Sequence, residues 1–435
     1  MLPAPAHRQI ILFGRYPVPG ATKTRLIPIL GALGAADLQR QLTERAVAGL
    51  AGNRTAPLSF AFAGGTRDQV HRWLARFKIR LVPQPEGDLG QRMRRMLDRA
   101  LDQGAGQAVL VGTDVPGLTA RHVRMAFEAL VGHDLVLGPS TDGGYYLVGC
   151  RRPVDIFDGI PWGTPEVLAK SLAAAQKQGL STALLPELYD IDTDADLKQW
   201  QPRGQWRRPY LSVVIPALNE ARGIAETISR MQAKGTEIIV ADGGSRDGTP
   251  ALARRAGAAV VETPRGRAIQ QNRGAGAATG RVLLFLHADT RLPDDFGPQI
   301  FELLMDPELA LGAFRFATDW AHPAMRWIER TANWRSSYLR MPYGDQAFFM
   351  RRELFDRAGG FPPLPIAEDL FLARRMARLG RLALAPGAAV TSARRWRSRG
   401  ILRTTLINCL IAGGCLLGVD PCRLAPLYKK GGPFG

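Results

Sequence analysis

Carboxylates follow short apolar runs at several points of this sequence. In the second half, Leu211-Ser-Val-Val-Ile-Pro-Ala-Leu runs into Asn219-Glu220, and Ile238-Ile-Val-Ala runs into Asp242-Gly-Gly-Ser-Arg-Asp-Gly-Thr249. Leu283-Leu-Phe-Leu runs into His287-Ala-Asp289-Thr, and Pro365-Ile-Ala precedes the adjacent acids Glu368 and Asp369. Carboxylate oxygens are natural ligands for a hard divalent cation, and such a cation neutralises charge on a diphosphate. Asp289 is the candidate ligand. A second carboxylate is needed wherever a hydroxyl must lose its proton during a displacement. Asp369 is the candidate base, with Glu368 as its neighbour or substitute. Arg265 and Arg267, in a glycine-containing loop, suit pairing with a diphosphate.

The first half repeats the theme with different residues. Ile10-Ile-Leu-Phe is followed by a loop that carries Gly20, Lys23 and Arg25. Glycine lets backbone amides face an anion, and two cations beside it can clamp phosphates. The spacing is not that of a Walker A loop. Acids again follow apolar runs: Asp114 in Val111-Gly-Thr-Asp-Val-Pro116, Asp142 in Gly138-Pro-Ser-Thr-Asp-Gly-Gly-Tyr-Tyr146, and Asp192 in Tyr189-Asp-Ile-Asp-Thr-Asp194. Asp114 and Asp192 are the candidates to share a cation, Mg²⁺ or Mn²⁺.

Strands and helices must bring these groups together. Each half opens on an apolar strand, then a turn, then a helical pattern, such as Ala35 to Leu50 and Ile224 to Met231. Continuous apolar strands between helices predict parallel sheets covered on both faces, hence an α/β class in both halves. In such sheets ligands bind outside the carboxyl ends of the strands, where the acids fall. At 435 residues two domains are expected. The polar stretch Gln201 to Pro209 reads as the linker between a domain at 8–200 and one at 210–400, with an apolar and basic segment at 401–435.

Composition narrows the classes. A chain that is 46% hydrophobic and 22% charged is globular rather than disordered. Cys150, Cys409, Cys415 and Cys422 have no metal-ligand spacing and form a poor disulfide framework, so a reducing, cytoplasmic setting is expected. The opening residues show no signal-peptide run, and no stretch reaches the length of a membrane span. A net charge of +18 suits phosphate ligands and a membrane surface. Nucleic-acid signatures are absent, which argues against nucleic acid.

The motifs of the second half, in their order, resemble those of family 2 glycosyltransferases with the GT-A fold. The resemblance covers 210 to about 400. It implies that Glu220 and Asp242 hold the nucleoside, Asp289 the metal, and that Asp369 takes the acceptor proton. The loop from Arg265 to Gly274 matches the segment covering the donor, and Gly344-Asp345-Gln346 resembles the stretch near the acceptor channel; Asp345 and Gln346 are counted with the donor-binding set. His287 stands where the family's metal motif has its first acid. The first half, roughly 8 to 200, resembles sugar nucleotidyltransferases in its opening loop. Taken whole, it is similar to the radical-SAM/selenium-domain-associated transferase 1 family, whose companion transferase 2 resembles the second half.

The fold expected is therefore two tandem GT-A-like, Rossmann-related domains. The activity expected is metal-dependent, inverting transfer of a sugar from a nucleotide-sugar donor to a small-molecule or lipid acceptor. Two alternatives stand beside it. The first domain makes the donor as a nucleotidyltransferase, or it is a non-catalytic nucleotide-sugar-binding scaffold. Residues 401 to 430 are apolar with basic flanks, which suits either a peripheral membrane contact on the cytoplasmic face or packing on the domain itself.

Overall fold

Apolar, β-branched runs become buried strands in the computed structural model, which describes residues 7–52, 56–200, 208–233 and 235–429. Most of the expected linker, 201–207, lies outside the described residues, as does Lys430. The described residues divide into two compact units, one on each side of the 206/207 boundary.

Among the described residues, the N-terminal unit has a seven-stranded sheet in the order β3-β2-β1-β4-β6-β5-β7. Its strands are β1 (Arg8–Arg15), β2 (Leu58–Ala63), β3 (Arg80–Pro83), β4 (Gln107–Gly112), β5 (Leu135–Pro139), β6 (Tyr145–Cys150) and β7 (Thr182–Leu184). β1 is parallel to β2 and β4, but β6 runs antiparallel to both β4 and β5. The sheet is mixed, where a wholly parallel one was expected. The reason is local: a parallel crossover needs about a dozen residues, and only the turn 140–144 separates β5 from β6. Gly143 makes that turn at φ 86°, and a Cβ there would fall 2.3 Å from the Pro165 carbonyl oxygen.

The C-terminal unit has an eight-stranded sheet among its described residues, ordered β10-β9-β8-β11-β14-β13-β15-β12. These are β8 (Leu211–Ala217), β9 (Thr236–Asp242), β10 (Ala259–Glu262), β11 (Val282–Phe285), β12 (Thr290–Arg291), β13 (Leu309–Thr318), β14 (Phe349–Arg351) and β15 (Arg381–Thr391). The strands β10-β9-β8-β11 are mutually parallel, and β14 reverses direction beside β11. Acids at the ends of β8, β9 and β11 therefore share one edge. The helix Arg267–Ala277 lies on this parallel half, pressed close because Gly274 has no side chain: a Cβ there would sit 2.4 Å from Val214 Cγ1. Phe285, Phe355 and Phe361 pack ring on ring beneath it.

The helices Ile401–Leu416 and Pro421–Lys429 close the chain. Ile411 and Cys415 bury one face of the first against Ile366 and Leu370. Among the described residues, no helix is long and apolar enough to cross a membrane.

Candidate functional site

In the C-terminal unit, two strand ends are knitted together. Asn219, at φ 57° after β8, donates its backbone N–H to Ser245 Oγ at 2.8 Å and accepts from the Arg246 N–H at 2.9 Å. Glu220 N–H donates to Thr249 Oγ1 at 2.9 Å, and Ala221 N–H to Asp247 at 3.0 Å. The Asn-Glu and Asp-Gly-Gly-Ser-Arg-Asp-Gly-Thr motifs are thus one hydrogen-bonded platform. Asp242 belongs to it: its carboxylate accepts from the Gly244 and Ser245 N–H groups and from Ser245 Oγ, and it is almost wholly buried. Asp242, the residue expected to hold a nucleoside, holds the turn through these amides.

Glu220 faces a different partner. Its carboxylate takes both terminal nitrogens of Arg394, at 2.5 and 3.2 Å, across 174 positions of sequence. The same guanidinium lies 3.3 Å from Asp289 Oδ2. The structure brings Glu220 and Asp289 together around Arg394, which is not among the expected site residues. Burial raises the Asp289 carboxyl above its ordinary value, Glu220 adds to that, and Arg394 opposes it. His287 is held neutral, pushed down to about 3 by burial and by Arg267. Its Nε2 is buried without a hydrogen-bond partner, so it is not a satisfied structural histidine.

Across the site, Arg267 opens the helix Arg267–Ala277 with its Nε 3.8 Å from Glu368. Its charge also opposes the burial-driven rise of the Asp289 and Asp345 carboxyls. Arg265 is exposed in the preceding loop. Ala367, left-handed at φ 60°, turns the chain into the helix Glu368–Leu379. Asp369 accepts from Gly344 N–H and from its own following amide, Leu370 N–H, each at 2.7 Å. Glu368 is buried, and its Oε1 has no hydrogen-bond partner. Burial pushes its carboxyl up to about 7; Arg267 opposes the rise and Asp369 adds to it. Asp345, beside them, is pushed up to about 6, first by burial.

Gln346 must be corrected. Expected to bind the donor, it is fully buried: Oε1 accepts from Ser336 Oγ and Tyr343 N–H, and Nε2 donates to the Phe314 carbonyl. With its hydrogen-bonding groups engaged inside the fold it has nothing to offer a ligand. It ties the Gly344–Gln346 turn to Ser336, Tyr343 and Phe314.

The N-terminal unit has its own site, a cavity of about 510 Å³ at the carboxyl ends of β1 and β4. Lys23, at φ 48°, points its ammonium between Asp114 (2.9 Å) and Asp192 (2.8 Å). The two acids do converge on one cation, but in this structure it is the lysine. Lys23, expected to clamp a phosphate, has a side chain only 4% exposed, whereas Arg25 is exposed and 3.9 Å from Asp192. Gln39 Nε2 donates to the other Asp114 oxygen at 2.9 Å. Asp142 accepts from Gly144 N–H and lines the cavity with Asp190. Burial, with Asp142 and Asp192 nearby, pushes the Asp190 carboxyl up to about 6. Asp190 lies in the same Tyr189-Asp-Ile-Asp-Thr-Asp194 run as Asp192, and the run alone does not distinguish the two. Among the described residues of either unit, no group of three or more His, Cys, Asp or Glu is arranged around a metal position.

Comparison with known proteins follows this division. Residues 212–362 match the family Glycosyl transferase family 2, and residues 46–164 match a family described as an uncharacterized protein conserved in bacteria, DUF2064. The 2-phospho-L-lactate guanylyltransferase of Methanopyrus kandleri is 31% identical over 166 residues, covering 34% of this chain and 84% of that protein. The glycosyltransferase AglE of Haloferax volcanii is 30% identical over 93 residues, 19% of this chain; the chain spans only 31% of that relative. A solved structure from Desulfovibrio desulfuricans G20, described as a nucleotide-diphospho-sugar transferase, is 33% identical, with 47% of this chain and 91% of that one covered at a TM-score of 0.42. A mannosyltransferase of Pyrobaculum calidifontis, solved with GDP-Man and Mn²⁺, is 22% identical, with 54% and 77% covered at a TM-score of 0.39.

Proposed function

We infer function from this premise: the chain belongs, through its N-terminal half, to the family of 2-phospho-L-lactate guanylyltransferase, and its C-terminal half carries a glycosyl transferase family 2 domain. The C-terminal domain moves a sugar from a nucleoside-diphosphate donor to an acceptor hydroxyl, with inversion. The observation that carries this reading is the meeting of Arg267 with Glu368 at 3.8 Å, which puts a cation for the diphosphate beside the acid pair for the acceptor. Asp369, oriented by two backbone amides, takes the hydroxyl proton. The freed oxygen attacks the anomeric carbon opposite the leaving group, and the bond to the diphosphate breaks. Arg267 stabilises the departing charge.

A divalent cation fits the C-terminal residues. Asp289 offers a carboxylate, and the orphaned Nε2 of neutral His287 offers a nitrogen. An oxygen and nitrogen donor set favours Mn²⁺ over Mg²⁺. When bound, such an ion supplies charge against the diphosphate. In the N-terminal unit the oxygens of Asp114 and Asp192, already converging on one point, suit Mg²⁺ or Mn²⁺.

For the N-terminal domain, the guanylyltransferase relative favours the nucleotidyltransferase reading: attack of a phosphorylated substrate on a nucleoside triphosphate, with release of pyrophosphate. The pair then corresponds to the companion transferase 1 and transferase 2 types, with the first making an activated compound. The acceptor of the second is a lipid-borne hydroxyl reached from the cytoplasmic face, through peripheral contact of residues 401–430. Free thiols at Cys150, Cys409, Cys415 and Cys422 accord with a reducing compartment.

Two assays test this. Purified protein is incubated with GDP- and UDP-sugars, and nucleoside diphosphate release is followed with and without Mn²⁺. It is also incubated with nucleoside triphosphates and either sugar phosphates or 2-phospho-L-lactate, and pyrophosphate is measured. Nucleoside diphosphate release unchanged by Asp369→Asn and Glu368→Gln together would overturn the C-terminal reading. No pyrophosphate release from any pair, with nucleotide still bound, would leave the N-terminal unit a scaffold.

A further inference from the structure

Two neighbouring helices of the C-terminal unit carry large apolar side chains that the domain does not cover. On the helix Ile401–Leu416, Leu402, Leu406 and Leu410 recur every fourth residue and are exposed, Leu402 to 87%. The opposite face, through Thr404, Ile411 and Cys415, is buried. A helix that is apolar on all sides needs cover on all sides, and the fold supplies it on one. On the helix Pro323–Tyr338, Met325, Glu329 and Ser336 point inward. At 100° per residue, Trp327, Trp334 and Tyr338 lie on the opposite ridge, with Trp327 65% and Tyr338 73% exposed.

The two helices that carry these ridges adjoin one another. Ile328 and Ala332 of the aromatic helix share a cluster with Ile401 at the start of the leucine helix. Met341 and Tyr343, just past the aromatic helix, share a second cluster with Ile407 and Ile411. Charge beside this pair of helices is mostly basic. From 395 to 423 the sequence has Arg395, Arg397, Arg399, Arg403 and Arg423 against the lone acid Asp420 in that stretch, with Arg397 also paired to Asp319. A second copy docked by two-fold symmetry would bring that basic stretch against itself. An anionic bilayer offers both an apolar interior for the leucines and a negative surface for the arginines. The tryptophan and tyrosine rings suit the boundary between the two.

We propose that these two ridges form one monotopic docking face for an anionic phospholipid surface, with the aromatic helix as an anchor beyond the 401–430 segment. The helices lie on the membrane rather than through it, in keeping with their length. The proposal rests on the reading of a C-terminal transferase with a lipid-borne acceptor, and it gives that acceptor a route to the enzyme.

The test is co-sedimentation of the full chain with vesicles of phosphatidylcholine mixed with phosphatidylglycerol, against phosphatidylcholine alone, at low and high salt. Binding is expected to the anionic vesicles and to weaken with salt. Trp327→Ser with Trp334→Ser, and separately Leu402→Gln with Leu406→Gln, should each lower partitioning by about tenfold or more. All these positions are outside the transferase site, so thermal-shift binding of GDP and UDP should be unchanged; loss of that binding in the unaltered protein would indict the transferase reading instead. Quenching of tryptophan fluorescence by brominated lipid tests the unaltered protein directly. No quenching, no partitioning, or a concentration-dependent dimer broken by the same substitutions would overturn the proposal.

Discussion

The ammonium of Lys23 lies 2.8 Å from Asp192 Oδ1, although 169 positions of sequence separate them. The left-handed backbone at Lys23 aims the side chain inward, and Asp114 closes the other side. Asp114 and Asp192 would hold a divalent cation if one bound here, and Lys23 would then be free to meet a phosphate.

Lys23→Met keeps the buried stem and removes the charge. A lost charge-assisted contact is worth about 1.5–3 kcal/mol, so nucleoside triphosphate affinity should fall about tenfold or more. Both acids are roughly two-fifths exposed and can rehydrate, so stability should drop by only about 1 kcal/mol. Calorimetric titration of the full chain with ATP and GTP, beside a thermal melt, separates the two effects. Unchanged affinity would remove Lys23 from the nucleotide site.

Glu368 makes the stability of the C-terminal unit depend on pH. The Glu368 carboxyl is raised by burial to about 7, so the folded state holds its proton more tightly than the unfolded chain does. Its contribution to stability is therefore present at low pH and is lost as pH climbs from the ordinary glutamate value of about 4.3 through about 7. Melting temperatures compared at mildly acidic and mildly alkaline pH should show this fall, and Glu368→Gln should flatten it.

In turnover, Asp369→Asn should cost 10²–10⁴-fold, the usual range for a lost general base, with donor affinity near wild type. If Glu368→Gln instead abolishes the rise of rate through neutral pH while Asp369→Asn is fully active, the base is Glu368.

Asp289→Ala should end metal-dependent donor binding while leaving Arg394 on Glu220, so the fold survives. Equal donor affinity in the variant and the unaltered protein, with Mn²⁺ present, would rule out Asp289 as a ligand.

Gln346→Leu removes three buried hydrogen bonds and strands the Tyr343 N–H and the Phe314 carbonyl, while Ser336 Oγ keeps the Ala332 carbonyl. Leaving buried polar groups unpaired costs about 1–3 kcal/mol each at most, so a large loss of stability is expected. Donor affinity of the folded fraction should stay near normal. A stable variant with weakened donor binding would restore Gln346 to the donor site.

Segments 1–203 and 209–435 should each express as cooperative folding units, since each encloses its own sheet and core. Two insoluble fragments would show that each unit needs the other.

Much of this architecture was legible because strand ends write themselves into sequence. An apolar run that stops at Asp242 or Asp114 marks both the strand and its carboxyl end, the edge where α/β sheets commonly bind ligands. Three kinds of feature were not legible. Direction was one: Tyr145–Cys150 is as apolar as any parallel strand, and only the shortness of the turn before it makes it antiparallel. Burial was another: Gln346 looks the same in sequence whether it faces a ligand or, as here, the Phe314 carbonyl. Long-range pairing was the third. Arg394 was visible as a basic residue beside Trp396, but its grip on Glu220 exists only once β15 returns to the sheet edge. The orphaned Nε2 of His287 and the raised carboxyl of Glu368 are likewise products of enclosure, not of motif.

Ala367 sets up a conflict between heat resistance and catalysis. Its left-handed backbone, φ 60°, swings the chain so that Glu368 and Asp369 enter the helix facing the site. A methyl-bearing residue in that region is strained by about 1–2 kcal/mol. Glycine would relieve the strain but would also let the unfolded and partly ordered chain wander more widely. In a laboratory evolution campaign scored on melting temperature alone, changes at 367 should therefore surface early. The survivors should include proteins that melt later and turn over more slowly, because the hinge that aims the two carboxylates has been allowed to relax.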